Sequence, residues 1–294
     1  MTCFKPIEAW QTDSGDIKFV ERGKIRRFLE LPCGQCVGCR LERSRQWATR
    51  IMHEASLHDF SSFVTLTYND ENCPVSLSYR PFQLFMKRLR RKFGPVRFYM
   101  CGEYGENFER PHFHAILFGL HFADRVVHSE RVGARLYRSP ALEGLWPDGF
   151  SSIGDVTFDS AAYVARYCMK KVTGPNADAH YERVDRSSGE LVVRKPEFAR
   201  MSLRPGIGAP WFDKFRGDVF GPDRDYVVAN GVKSRPPRFY DKRLETVDPD
   251  LHDDVVYARQ VSAGSLLADR MDARLAVRER VTRARLSFKK RSLE

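Results

Sequence analysis

The segment RPHFHAILFG (residues 110–119) does most to decide how this chain folds. Its aromatic and branched apolar residues predict a β-strand over residues 112–118. Side chains on a strand alternate between its two faces, so His112 and His114 point to the same side. Paired histidines suit a divalent metal ion, although an isolated pair on a strand is more often part of a hydrogen-bonded core or surface.

A carboxylate lies on the strand predicted just before this segment. Residues 96–102 have strand composition, and the loop at residues 105–110 joins them to the histidine strand as a hairpin. Glu103 can therefore complete a ligand set of two histidines and one acid, which suits Mg²⁺ or Mn²⁺. Glu106 and Glu109, in the loop, are rivals for the acid position.

Two tyrosines follow in AYVARYCMKK (residues 162–171). A helix is predicted over residues 161–171, and Tyr163 and Tyr167 share one face of it. Lys170 and Lys171 lie within reach of that face. A phenol is a poor nucleophile near neutral pH unless an ammonium group or a metal-polarised phosphate assists it. The tyrosines are thus candidate nucleophiles with lysine assistance; alternatively, they only pack the helix onto the sheet.

Further elements are predicted on both sides of these motifs. Residues 63–68 form a strand, and an amphipathic helix with a cationic outer face begins at Pro81 and ends at Gly94. A basic amphipathic helix covers about residues 40–57. Asn230 and Gly231 mark a two-residue hairpin turn, residues 204–208 a rigid loop, and residues from about 250 onward a basic helical tail.

Four cysteines near the N-terminus form a second candidate site. The spacing in CGQCVGC (residues 33–39) lets the thiolates of Cys33, Cys36 and Cys39 reach one ion. Cys3 is the candidate fourth ligand of a tetrahedral, structural Zn²⁺. The alternative is a set of reduced thiols in a tight glycine-rich turn. The odd total of seven cysteines argues against a disulfide framework.

Composition limits the class of protein. Lysine and arginine number 49 against 38 aspartates and glutamates, which gives a formal charge of +11 and suits a polyanionic partner such as DNA, or a basic soluble protein. The hydrophobic fraction of 42% is enough for a folded core. No long apolar run or signal-peptide pattern is seen, so we expect the protein to act in the cytoplasm.

Three segments, in order, resemble the motifs of the HUH endonuclease superfamily, where U is a bulky hydrophobic residue. They are residues 63–68, 111–114 and 163–170. Residues 33–47 and 204–208 add a specific similarity to the replication initiators of microviruses, above all the gokushovirus branch. The similarity covers most of residues 1–245 and leaves 246–294 as a basic helical tail.

The resemblance implies an α+β fold, with an antiparallel sheet of about five strands flanked by helices. It implies that His112 and His114 bind Mg²⁺ or Mn²⁺ and that Tyr163 and Tyr167 alternate as nucleophiles. The Lys170 spacing, seen in single-tyrosine relatives, favours Tyr167 for the first cut. The implied reaction nicks one strand of phage replicative-form DNA at the origin, forms a 5′-phosphotyrosine, and later rejoins the displaced strand.

The 3′-OH left by the nick would prime a host DNA polymerase, with a host helicase, in the host bacterial cytoplasm. Two alternatives stay open at this point. One is a relaxase or transposase of the same superfamily, which the order of the histidine and tyrosine motifs and the tyrosine count disfavour. The other is a non-enzymatic zinc-containing DNA-binding protein, in which the histidines and tyrosines belong to the core.

Overall fold

The structure, a computed structural model, describes residues 3–105, 109–131, 134–167, 177–185, 188–221, 224–229, 231–264 and 271–288. The chain divides into two compact units. One comprises Met1–Arg45 with Leu244–Glu294, and the other comprises Gln46–Arg243. The division into a catalytic domain over residues 1–245 and a tail over residues 246–294 stays a prediction.

The first unit contains a small antiparallel sheet in the order β2-β1-β3. The sequence patterns left this N-terminal region unassigned, because its strands are short and mostly exposed. The predicted basic helix near residues 40–57 is confirmed as α1, which continues into the second unit, and the predicted helical tail is confirmed as α8 and α9. The bounds are β1 Ile7–Thr12, β2 Ile17–Lys18, β3 Ile25–Leu31, α1 Val37–Ala55, α8 Pro249–Gly264 and α9 Asp272–Ser287.

The second unit is built on an antiparallel sheet that has seven strands in the described part of the chain, in the order β12-β5-β6-β4-β9-β8-β7. The predicted α+β class is confirmed. Five strands form the body expected from the resemblance, and the β7–β8 hairpin extends it through the single pair Tyr137 and Ile153. The strands are β4 Ser61–Tyr68, β5 Arg97–Tyr104, β6 Pro111–Phe118, β7 Val126–Arg131, β8 Ala134–Arg138, β9 Gly149–Asp155 and β12 Phe198–Met201.

Helices and short hairpins complete this unit. The helices are α2 Tyr79–Phe93, α3 Pro140–Glu143, α4 Phe158–Tyr167, α5 Ala177–Tyr181, α6 Ala209–Val219 and α7 Arg238–Val247. The remaining strands pair in sequence as β10 Glu182–Val184 with β11 Leu191–Val193, β13 Phe220–Gly221 with β14 Arg224–Asp225, and β15 Val227–Ala229 with β16 Val232–Ser234. The last pair is the hairpin predicted around Gly231.

Helix α2 covers one face of the large sheet. Its buried residues Phe82, Phe85, Met86 and Leu89 pack against the inward side chains of the central strands, among them Phe113. The helix begins two residues earlier than predicted, because the Ser78 hydroxyl accepts a hydrogen bond from the N–H of Arg80 and caps it. It ends at Gly94, as predicted, where the backbone has a φ of +84°.

The opposite face of the sheet is covered by α4 and the second half of α1. Ala161 and Val164 of α4 and Ala48 and Ile51 of α1 are buried against this face. The side chains of His112 and His114 lie on the same face, beyond the apolar contacts. Packing on both faces therefore fixes the central strands and leaves one end of the α4 face for polar residues. Among the described residues, no helix combines the length and apolar character needed to cross a membrane.

Candidate active site

The pairing of β5 with β6 brings together the predicted acid and both histidines. Glu103 is directly opposite His112, and Cys101 is opposite His114. The Nε2 atoms of His112 and His114 each lie 2.9 Å from the same carboxylate oxygen, Glu103 Oε1. Glu103 and His114 are buried, and His112 is half-buried. The ligand atoms of the three residues lie within 4.8 Å of one another, so they could hold one metal ion.

Each histidine ring is oriented by a hydrogen bond at its other nitrogen. Nδ1–H of His112 donates to the carbonyl oxygen of Arg110 at 3.0 Å. Nδ1 of His114 lies 2.9 Å from the hydroxyl of Thr65. Outer partners of this kind fix the ring and leave Nε2 for the metal. The sequence analysis missed Thr65, although its position on the predicted strand, on the face opposite Val64 and Leu66, could have indicated it.

The arrangement of the His112 ring favours a cation at the site. A carbonyl oxygen can only accept, so Nδ1 of His112 carries the proton, and a neutral ring then has a lone pair at Nε2. That lone pair would face the Glu103 oxygen, which is also an acceptor. A second proton on the ring or a metal ion between the two atoms removes this repulsion. The donor set of two imidazoles and a carboxylate fits Mg²⁺ less well than Mn²⁺, but accepts both.

The environment keeps Glu103 ionised. Burial raises the pKa of this carboxyl, and is the largest single influence on it. The hydrogen bonds from His112 and His114, with the positive charge of their rings, outweigh burial, so the pKa lies below its ordinary value. An anionic Glu103 is the form that binds a metal ion.

Helix α4 places Tyr163 beside the histidines. The Tyr163 ring packs edge-to-face against His114, with ring centroids 5.2 Å apart, and against Phe63 at 6.4 Å. Tyr167 is the last residue of α4, one turn further along. Its side chain, together with Lys170 and Lys171, lies outside the described residues, so the roles of these three stay predictions.

The structure separates Glu103 from its rival Glu109. The Glu109 carboxylate accepts hydrogen bonds from Arg183 at 2.8 Å and from Arg194 at 3.0 Å. These ion pairs hold the pKa of Glu109 below its ordinary value. Glu109 thus ties the loop before β6 to the β10–β11 hairpin and its following residues. The other rival, Glu106, lies outside the described residues.

The four N-terminal cysteines form a compact cluster in the first unit. Cys3 Sγ lies 3.6 Å from Cys33 Sγ and 3.9 Å from Cys36 Sγ. A zinc ion bound by four sulfurs at ~2.3 Å has sulfur–sulfur edges of about 3.8 Å. The Sγ atoms of Cys3, Cys33, Cys36 and Cys39 all lie within 4.8 Å of one another, and the cluster is largely buried. Four sulfurs at these separations fit a single tetrahedral ion.

Backbone N–H groups point at the sulfurs. The N–H of Phe4 lies 3.3 Å from Cys36 Sγ, and the N–H of Cys36 lies 3.3 Å from Cys33 Sγ. Burial raises the pKa of Cys36, but these contacts from Phe4 and Cys39 outweigh it and lower the pKa to about 7. Burial raises the pKa of Cys3 and of Cys39. Four adjacent thiols cannot all ionise alone, and a dication removes that conflict.

The cationic face of α2 is partly structural. The guanidinium group of Arg88 donates to the carbonyl of Leu145 at 2.9 Å, and that of Arg90 donates to the carbonyl of Val96 at 2.9 Å. Lys87, Arg91 and Lys92 are exposed. The prediction that this face contacts nucleic acid therefore narrows to these three cations, with Arg88 and Arg90 bonded to neighbouring backbone.

Comparison with known proteins gives consistent results. The family of replication-associated proteins of the ORF2 type matches residues 61–172. Replication-associated protein VP4 of Bdellovibrio phage phiMH2K is 34% identical over 256 residues, covering 82% of this chain and 76% of the phage protein. Replication-associated protein ORF2 of Spiroplasma virus 4 is 29% identical over 83% of this chain and 81% of its own length.

A third relative covers less of its own length. Replication-associated protein ORF4 of Chlamydia phage 1 is 30% identical over 80% of this chain, which corresponds to 59% of that protein. No solved structure is significantly similar to the chain. The residues matched by the family, 61–172, include Glu103, both histidines and both tyrosines.

Proposed function

The chain belongs to the phage replication-associated proteins, and on this premise we propose that it initiates rolling-circle replication as a metal-dependent tyrosine endonuclease. Its substrate is the phage origin in double-stranded replicative-form DNA, of which it nicks one strand. Membership of this family agrees with the resemblance to microvirus initiators seen in the sequence motifs.

One observation carries the proposal: a candidate nucleophile packs directly against a candidate metal ligand. Tyr163 contacts His114, and His114 converges with His112 on Glu103. A core role for these residues would not require two imidazole Nε2 atoms to converge on a single buried carboxylate oxygen. The same residues fall within the segment matched by the replication-associated family.

His112, His114 and Glu103 would hold Mg²⁺ or Mn²⁺, which when bound polarises a phosphate and stabilises the charge that develops on its oxygens. The hydroxyl oxygen of a tyrosine attacks the scissile phosphorus. The bond from phosphorus to the 3′ oxygen breaks, and the proton lost from the phenol balances the one gained by the 3′-OH. The new phosphotyrosine diester retains the energy of the broken bond, so rejoining needs no ATP.

Tyr163 and Tyr167 provide two successive transfers in this proposal. The first tyrosine holds the 5′ end of the cut strand, and the second attacks when synthesis regenerates the junction. Lys170 and Lys171 would favour the phenolate by their charge. The free 3′-OH would be extended by a host DNA polymerase with a host helicase, in the host bacterial cytoplasm.

Nicking of supercoiled replicative-form DNA tests the proposal. The purified protein is incubated with Mn²⁺ or Mg²⁺, in parallel with EDTA and with a Tyr163→Phe, Tyr167→Phe double variant. We expect open circles that carry protein until protease treatment, and that disappear in both controls. Nicking that survives loss of both tyrosines would mean that water is the nucleophile. Tight binding without nicking would favour the non-enzymatic DNA-binding alternative.

We also propose that Cys3, Cys33, Cys36 and Cys39 bind a structural Zn²⁺. Support comes from the sulfur separations and from the N–H groups directed at the sulfurs. Elemental analysis of the purified chain should find one zinc ion per molecule, lost in Cys36→Ser. Cys73→Ser is the matched control, because Cys73 lies outside the cluster and should leave the zinc in place. Equal zinc content in all three proteins would refute the site.

A further inference from the structure

An exposed aromatic residue lies in line with the candidate metal ligands. On the sheet, Glu103 pairs with His112, His112 with Thr67, and Thr67 with Phe150. Residues directly opposite one another in adjacent antiparallel strands share a face, so all four belong to one row across β5, β6, β4 and β9. With neighbouring strands ~4.8 Å apart, Phe150 lies roughly 10 Å from His112.

Phe150 has no apolar cover. It is 66% exposed, although it lies in a strand of the main sheet, where side chains are usually packed. Single exposed apolar residues are common on protein surfaces and need no explanation by themselves. The position of Phe150 in the row of metal ligands, and the cavity beside it, distinguish it from that background.

A cavity of about 540 Å³ adjoins the ring. Its walls include the hydroxyl-bearing residues Thr65, Thr67 and Ser152, and its rim includes His128 and Arg138. The acid in the lining, Glu143, is paired with Arg138 at 2.6 Å. Thr65 both lines the cavity and bonds to His114. The cavity therefore opens directly beside the metal ligands, and combines an aromatic surface with hydroxyl groups.

The backbone holds Phe150 firmly in this place. A Cβ on the preceding residue, Gly149, would lie 2.3 Å from the carbonyl oxygen of Thr67, so only glycine allows this close approach of β9 to β4. The same carbonyl accepts a hydrogen bond from the Trp146 indole at 3.1 Å, and the N–H of Asn69 donates to the carbonyl of Asp148 at 3.0 Å. The ring is thus presented on a rigid strand end.

We propose that Phe150 is a stacking platform for one base of the DNA strand being cut, and that the adjoining cavity receives this unstacked nucleotide. The inference rests on the proposed function, because it takes the scissile phosphate to lie at Glu103, His112 and His114. Every base offers a π-face, and proteins that bind single strands stack bases on exposed aromatic side chains. The hydroxyl groups of Thr67 and Ser152 would contact the edge of that base or its sugar.

Binding can be measured without cleavage. Fluorescein-labelled single-stranded dT15 is titrated with the full chain in EDTA, and anisotropy reports the affinity. We expect Phe150→Ala to weaken binding by roughly 5- to 100-fold, and Phe150→Trp to restore it. Phe60→Ala is the matched control, because Phe60 is 59% exposed and precedes the other end of β4. It should bind as the wild type does.

A second measurement locates the base. Irradiation of the complex with an oligonucleotide that contains 5-iodouracil should crosslink the DNA to the peptide that carries Phe150, as identified by mass spectrometry. Equal affinity of the wild type and Phe150→Ala, or crosslinks only elsewhere, would overturn the inference. A wild type that binds with dependence on Phe150 but never nicks DNA would support the stacking platform while refuting the proposed nuclease. The reverse result, nicking without dependence on Phe150, would refute only the platform.

Discussion

Replacing Thr65 with valine should weaken metal binding without unfolding the protein. The substitution keeps the branched shape of the side chain and removes the hydroxyl that lies 2.9 Å from Nδ1 of His114. His114 is buried, so few water molecules can replace the lost partner. The ring is then free to change tautomer or rotate, and either change takes Nε2 away from Glu103.

The size of the effect follows from this single contact. Loss of an outer hydrogen bond to a ligating histidine typically costs 10- to 100-fold in metal affinity, or about 1.4 to 2.7 kcal/mol. The free energy of unfolding should change by only about 1 kcal/mol, the net value of one hydrogen bond. Nicking should therefore be reduced at low Mn²⁺ and recover as Mn²⁺ is raised.

Calorimetric titration with Mn²⁺ measures the affinity directly. Thr49→Val is the matched control: Thr49 is also buried, and its hydroxyl has no hydrogen-bond partner among the described residues. It should leave Mn²⁺ affinity unchanged. If Thr65→Val binds Mn²⁺ within twofold of the wild type, the hydrogen bond does not orient His114, and our account of the ligand geometry is wrong.

Three further predictions concern the acid ligand, pH and backbone packing. Glu103→Gln should lower Mn²⁺ affinity by more than about 100-fold, beyond the loss of an outer partner, whereas Glu109→Gln should retain it; calorimetry showing equal losses would contradict the assignment. Burial lowers the pKa of His53 to about 4, so the unfolded chain binds a proton first as pH falls below about 6.5. The free energy of unfolding in urea should drop by about 2 kcal/mol between pH 7 and 5, and less in His53→Phe; parallel curves would refute this. Gly149→Ala should destabilise by about 1–3 kcal/mol in thermal melts, because its Cβ would meet backbone, whereas Gly217→Ala, a helical position with open space, should stabilise slightly; changes of the same sign would contradict the packing argument.

The hairpin and its histidines could be predicted from sequence because both depend on local rules. Alternation along a strand places His112 and His114 on one face. A short loop between two strands then fixes their register and brings Glu103 opposite His112. The helix over α2 was equally local, since its apolar stripe and its terminal glycine are readable in the sequence.

What the sequence patterns missed depends on non-local pairing. Strand β4 lies between β6 and β9, and only this order places Thr65 beside His114 and Phe150 in the row of His112. The separation of Phe150 from β4 along the chain gives no local signal for that contact. Likewise, Arg88 on α2 is bonded to the carbonyl of Leu145, which is distant in sequence. A charge pattern alone cannot distinguish such an arginine from one that contacts DNA.

Mass spectrometry of the covalent product tests the central claim most directly. The wild type is incubated with Mn²⁺ and origin DNA, the DNA is digested, and the protease fragments are searched for a nucleotide bound to tyrosine. We predict the adduct on Tyr163 or Tyr167, its loss when both are phenylalanine, and its absence in EDTA. Nicked DNA with no nucleotide on either tyrosine would contradict the proposed mechanism.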